Sequence, residues 1–162
     1  MLKEKPMVIG LAQLGVVKYP KTISTLGLGS CIGVTLYDKI HKIGGMVHVV
    51  LPEGAPGEKN RAKFANLGVD ALLQEMLKNG AARNALVAKM AGGAHMFGGV
   101  NPSSDILKVG DRNAAQVAMA LMRLRIPIQA RDVGGQYGRT IVLNTEDGSL
   151  FVKTVGKGEK TL

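Results

Sequence analysis

Apolar residues follow two rhythms along this chain, and the switches between them outline a fold. Up to Leu51 they come in short runs cut by glycine or charge. Met7–Leu11 and Leu14–Tyr19 read as short strands broken near Gly15, and Thr22–Leu26 as a third. Ile32–Asp38 (IGVTLYD) and Gly45–Leu51 (GMVHVVL) are rich in β-branched residues and read as a strand pair reversing within Tyr37–Lys42. A proline- and glycine-rich loop follows. From about Lys59 to Asn79 the period becomes helical, with Phe64, Leu67, Ala71, Leu72, Met76 and Leu77 on one face and Gly80 as the stop. Leu86–Ala91 reads as a buried strand leading into the glycine-rich GGAHMFGG loop. Asp111 is placed to cap a second helix with Ala114, Val117, Ala118, Leu121 and Met122 on its apolar face. Ile128–Val133, Thr140–Asn144 and Leu150–Val155 read as strands, the last two joined by a turn at Asp147-Gly148. Many strands with two convincing helices predict an α+β layered domain, its sheets mixed or largely antiparallel and packed by two or three helices.

Composition narrows this picture. At 162 residues a single domain over the whole chain is expected. With 46% apolar residues but no tryptophan, the core must be built from Val, Ile, Leu, Met and Ala. One cysteine excludes an intramolecular disulfide and suits a reducing compartment. The N-terminus has no apolar secretory region, and no apolar run is long enough to span a bilayer, so a cytoplasmic protein without membrane insertion is expected. The net charge of +9 is dispersed along the chain. It favours solubility or an acidic partner. Nucleic acid is not expected, because no basic run is interleaved with aromatics and no helix–turn–helix or zinc-finger pattern occurs.

The candidate chemistry lies in TLGLGSC, Thr25 to Cys31, which holds the lone thiol. If the strand pair reverses between Lys39 and Ile40, Cys31 stands opposite His48, and opposed residues share one face of an antiparallel pair. An imidazolium beside the sulfur would lower the thiol pKa and could carry a proton to a leaving amine. Gly27 and Gly29 would let N–H groups gather near the sulfur for an oxyanion. The Thr25 hydroxyl could accept from the far ring nitrogen of His48 and fix its tautomer. Plain structural readings stand beside these. Cys31 could be a small core hydrophobe, His48 a satisfied core histidine and Thr25 a strand residue. GLGSCIG fails as a dinucleotide fingerprint because Ile32 takes the third glycine's place. Cys31, His41, His48 and His95 lack any standard metal-ligand spacing. His41 falls in the turn, and His95 in a loop that is either surface or site-lining. Met96 and Phe97 offer a docking patch or a loop tucked onto the core.

Five segments, TLGLGSCIGVTLYD, GGMVHVVLPEG, KMAGGAHMF, VGDRN and RDVGGQYGR, resemble in order the motifs of the chemoreceptor glutamine deamidase family, CheD, from about Val8 to Val155. The resemblance implies an α/β sandwich with mixed sheets and a deamidase acting on glutamine side chains of bacterial chemotaxis receptors. It implies Cys31 as nucleophile, His48 as base and Thr25 as the third catalytic residue, with no metal or organic cofactor. It also implies binding to CheC, a phosphatase acting on a phosphorylated response regulator, for which AGGAHMF is the candidate contact loop. A non-catalytic adaptor for receptor and phosphatase is the alternative, and a thiol hydrolase of small amides or esters a third reading.

Overall fold

The structure, a computed structural model, describes residues 4–96 and 108–162. Two five-stranded sheets face each other, and two helices cover the outer side of one of them. The first sheet runs in the order β1 (Met7–Ile9), β3 (Thr22–Leu28), β8 (Arg139–Asn144), β9 (Leu150–Thr154), β10 (Gly158–Thr161). The second runs β2 (Leu14–Lys18), β5 (Ile43–Val49), β4 (Ile32–Asp38), β6 (Leu86–Gly92), β7 (Ile128–Val133). Pairing is antiparallel except for β1 with β3 and β6 with β7. The expected mixed, largely antiparallel α+β layering is what forms.

Two cores hold the layers together. One lies between the helices and the second sheet, around Val34, Leu36, Val47, Leu72, Met76 and Leu121. The other lies between the sheets, around Ile23, Leu28, Cys31, Met46, Ile141 and Leu143. β4 and β5 separate them and are buried at every position. That is why both read as nearly continuous apolar runs instead of alternating ones.

Several boundaries differ from the sequence expectation. Helix α1 spans Ala65–Lys78 rather than starting near Lys59, because Arg61–Lys63 is a separate 3-10 turn and Phe64 is extended, bridging to Leu51. Its buried face is Ala65, Gly68, Val69, Leu72, Leu73 and Met76, which leaves Leu77 exposed. Its stop at Gly80 is as expected: φ is +95°, and the Ala81 N–H closes back on the Met76 carbonyl. Helix α2 spans Val109–Arg123 with Lys108 at its cap. Asp111 therefore sits inside the first turn, where a carboxylate favours the helix dipole but caps nothing. The buried face of α2 is Gly110, Asn113, Val117, Ala120 and Leu121, while Met122 points to solvent. β10 was not expected; GEKT is exposed throughout and carries no apolar alternation.

The β4–β5 hairpin corrects the expected register. Its loop holds four residues, Lys39–Lys42, with Lys42 at φ +53°. Asp38 then pairs with Ile43, and His48 faces Gly33 instead of Cys31. The pairing is displaced by two residues. An even shift keeps every side chain on its expected face, so Cys31 and His48 still share the side turned toward the first sheet.

Candidate active site

Cys31 lies in the short passage Gly29-Ser30-Cys31, where the chain leaves β3 in one sheet and enters β4 in the other. A bulge prepares this crossing. On β3, Thr25 pairs with Ile141 and Leu28 with Arg139, so three steps on one strand match two on its neighbour. Gly27, at φ +67°, takes up the extra residue. Thr25 and Leu28 therefore both face inward, which regular alternation would forbid.

The main chain around the sulfur is held at its carbonyls. The Gly93 N–H donates to the Cys31 carbonyl (2.9 Å) and the Ala94 N–H to the Gly29 carbonyl (2.8 Å). Gly92, at φ +119°, packs so closely on the Cys31 carbonyl that a Cβ there would overlap it. Arg139 Nη1 donates to the Gly92 carbonyl (3.1 Å), and Arg139 Nε pairs with Asp132 (3.1 Å), nearly out of solvent. Asn113 Nδ2 donates to the carbonyls of Ser30 and Val50, both at 3.0 Å. Arg139 and Asn113 were not singled out from sequence. Both lie within segments that carried the family resemblance, but only the fold brings them here.

His48 is 1% exposed. Its main chain is tied to the β1–β2 connection, the N–H donating to the Gln13 carbonyl (3.0 Å) and the carbonyl accepting from Ala12 (2.9 Å). Its Nδ1 stands 2.7 Å from Thr25 Oγ1, across the gap between the sheets. Thr25 Oγ1 also donates to the Ile9 carbonyl at 2.8 Å. A hydroxyl has one proton, and here the carbonyl takes it, so Oγ1 can only accept from the ring. The network thus assigns the proton to Nδ1 and leaves a lone pair on Nε2. That Nε2 is buried and has no hydrogen-bond partner among the described residues.

Electrostatics correct one expectation. Desolvation by burial pushes the Cys31 thiol up, opposed only by its own backbone N–H. Burial also pulls His48 down to about 4. The resting pair is therefore a neutral thiol and a neutral imidazole, not the anticipated thiolate beside an imidazolium. The same dry environment penalises both charged forms. A buried imidazole with one nitrogen satisfied and the other free has a lone pair able to accept a proton.

The remaining candidates separate from this cluster. His41 Nδ1 lies 2.7 Å from Asp38 Oδ2 at the far, hairpin end of the sheet. His95 contacts Asp111 (3.1 Å), and its N–H donates to the Gly135 carbonyl (2.8 Å). Met96 covers Gly29 and is half exposed, while Phe97 and the rest of the glycine loop to residue 107 lie outside the described residues. No described helix is long and apolar enough to cross a membrane.

Fold and side chains together define a class: a layered α+β protein in which an imidazole and a threonine hydroxyl bond across the gap between two sheets, with the lone thiol on the same face two residues before the Gly33 that His48 pairs with. The comparisons with known proteins say which family this is. The family model described as CheD chemotactic sensory transduction matches residues 50–154. The chain is 45% identical to the probable chemoreceptor glutamine deamidase CheD of Caldanaerobacter subterraneus, over 98% of this chain and 99% of that one. It is 48% identical to the probable chemoreceptor glutamine deamidase CheD of Lachnoclostridium phytofermentans and to the chemoreceptor glutamine deamidase CheD of Halalkalibacterium halodurans, each over 95% of this chain and 96% of the relative. This chain belongs to the CheD family. The family-model match begins just after His48 and covers none of Cys31, His48 and Thr25.

Proposed function

We propose that this protein is a cytoplasmic glutaminase that converts selected glutamine side chains of bacterial chemotaxis receptors to glutamate, with Cys31 as nucleophile, His48 as base and acid, and Thr25 as the residue that sets the His48 tautomer. The observation that carries this is the Thr25 hydroxyl, whose only proton is committed to Ile9, which frees His48 Nε2 as an acceptor. The relatives' names, which specify chemoreceptor glutamine deamidases, support the substrate class.

The steps follow from a neutral pair. As the sulfur attacks the amide carbon, the thiol proton moves to His48 Nε2 and the carbonyl oxygen becomes an oxyanion. Collapse of that adduct breaks the C–N bond, and the imidazolium gives its proton to the departing nitrogen, which leaves as ammonia. A water then attacks the thioester while His48 takes its proton. The C–S bond breaks, the sulfur recovers the proton, and a glutamate side chain remains. Each passage through imidazolium is transient, as a buried site requires. Each turnover places a new negative charge on the receptor, a site where methylation becomes possible.

Near-complete burial of Cys31 favours a second reading, in which the thiol is a structural core residue and the protein is a non-catalytic adaptor for receptor and the CheC phosphatase. Mass spectrometry of a receptor cytoplasmic fragment incubated with wild type or with Cys31→Ala separates the two. Amide-to-acid conversion by wild type alone supports the enzyme. Equal conversion by both proteins removes Cys31 from the mechanism, and conversion by neither leaves docking as the function.

A further inference from the structure

Three consecutive carbonyls, of Gly29, Ser30 and Cys31, are all engaged as acceptors, but not by the same kind of donor. Main-chain N–H groups hold the first and third. The second, that of Ser30, is held by a side chain, Asn113 Nδ2 on α2. The Ser30–Cys31 peptide is the one that carries the nucleophile's own N–H. It is trans, since Tyr19-Pro20 is the only cis bond among the described residues, so its C=O and N–H point in opposite directions. With the carbonyl drawn toward α2, on the outer side of the second sheet, the N–H is turned away from the helix. Cys31 packs on that opposite side, in the core between the sheets. Among the described residues no carbonyl accepts from the Cys31 N–H.

Asn113 is itself fully buried, and its other amide atom, Oδ1, has no partner among the described residues. A buried acceptor left unpaired is costly and calls for a reason. The reason is geometric. The Nδ2 amino group spans two carbonyls from different segments, one just before β4 and the nucleophile and one just after β5, two residues beyond the base, and in this pose Oδ1 has no partner among the described residues.

We infer that Asn113 is a positioning residue for catalysis: its clamp on the Ser30 and Val50 carbonyls locks the Ser30–Cys31 peptide so that the Cys31 N–H is presented to the oxyanion. The inference rests on Cys31 being the nucleophile. A peptide free to rotate would offer a carbonyl to the oxyanion in place of a donor. Loss of one such donor costs about 10²–10³ in kcat.

The test uses two reactions of the same sulfur. Alkylation by iodoacetamide displaces iodide at a saturated carbon and forms no oxyanion, whereas deamidation does. Asn113→Ala removes the clamp, and Asn113→Asp keeps the shape but replaces the donor with an acceptor facing two carbonyls. Both are expected to lower kcat on a receptor fragment by about 100-fold with KM little changed, while the alkylation rate stays within about threefold of wild type. Parallel loss of alkylation and deamidation, or deamidation at the wild-type rate, would overturn the inference. If neither variant folds, wild type decides. A peptide whose glutamine side chain ends in an aldehyde adds the Cys31 thiol reversibly, and the Cys31 amide proton is expected to shift downfield in the adduct. An unmoved signal in a formed adduct would count against the clamp. Cys31→Ala run alongside keeps the readings apart: if it still deamidates, the nucleophile assignment fails and the clamp with it, whereas an inactive Cys31→Ala beside fully active Asn113 variants sinks the clamp alone.

Discussion

The two ends of the β4–β5 pair treat their buried polar groups in opposite ways. At the hairpin end, Asp38 is fully buried and accepts from the N–H groups of Ile40, His41 and Ala82 and from the His41 ring. Burial pushes its carboxyl up, but these four donors outweigh it and hold the pKa below the ordinary carboxylate value. At the other end, His48 Nε2 and Asn113 Oδ1 are the buried side-chain atoms left without partners among the described residues. One strand pair thus carries a saturated network at one end and an unsaturated one at the other. A saturated buried network fixes a turn. An unsaturated one keeps capacity for a proton or a substrate and accepts a cost in stability.

Changes at the two ends should therefore separate activity from stability. Cys31→Ala and His48→Asn should each reduce deamidation at least about 10⁴-fold while leaving the protein folded, measured as ammonia release from a receptor fragment beside thermal unfolding. Substantial activity in either would erase the functional half of the contrast. Thr25→Val should cost about 100-fold in kcat by releasing the imidazole to the wrong tautomer. Asp38→Ala should show the reverse pattern: roughly 3 kcal/mol of stability lost in urea unfolding, because three main-chain donors and a ring are stranded, with kcat within about twofold at temperatures where the variant is folded.

A smaller effect appears with acid. His48 has a folded pKa of about 4 against an unfolded value of 6.5. The unfolded chain therefore binds the proton first. The contribution is intact above pH 6.5 and is lost as pH falls toward 4, up to about 3 kcal/mol. His48→Asn keeps a donor toward Thr25 but cannot titrate, so its stability should fall less across that window. Identical pH profiles for wild type and variant would show that folding does not lower the His48 pKa.

The two ends were also unequally legible in the sequence. The bounds of β4 were readable because a run of β-branched residues between turn signals has few alternatives. The hairpin register was not, because Lys39–Lys42 carries no glycine or asparagine to announce a four-residue loop with Lys42 in the left-handed region. The pairing of Cys31 with His48 on one face survived only because the error was even. Thr25 could be anticipated as a partner of His48, but its bond to Ile9, which decides the tautomer, depends on parallel pairing between β1 and β3. Asn113 gave no signal. A polar residue on an amphipathic helix looks like a solvent position until the helix is docked, and its line with Gly110 and Val117 becomes meaningful only over the Ser30 carbonyl. The charge state of the pair was misjudged because proximity was weighed and burial was not.

The proposed chemistry depends most directly on where the His48 proton sits. Long-range proton–nitrogen correlation spectra of ¹⁵N-histidine-labelled protein at pH 7 report this at each ring nitrogen. The expected result is a neutral ring with Nδ1 protonated and Nε2 bare, and a shift of the proton toward Nε2 in Thr25→Val. An imidazolium at pH 7, or a wild-type ring protonated on Nε2, would contradict it.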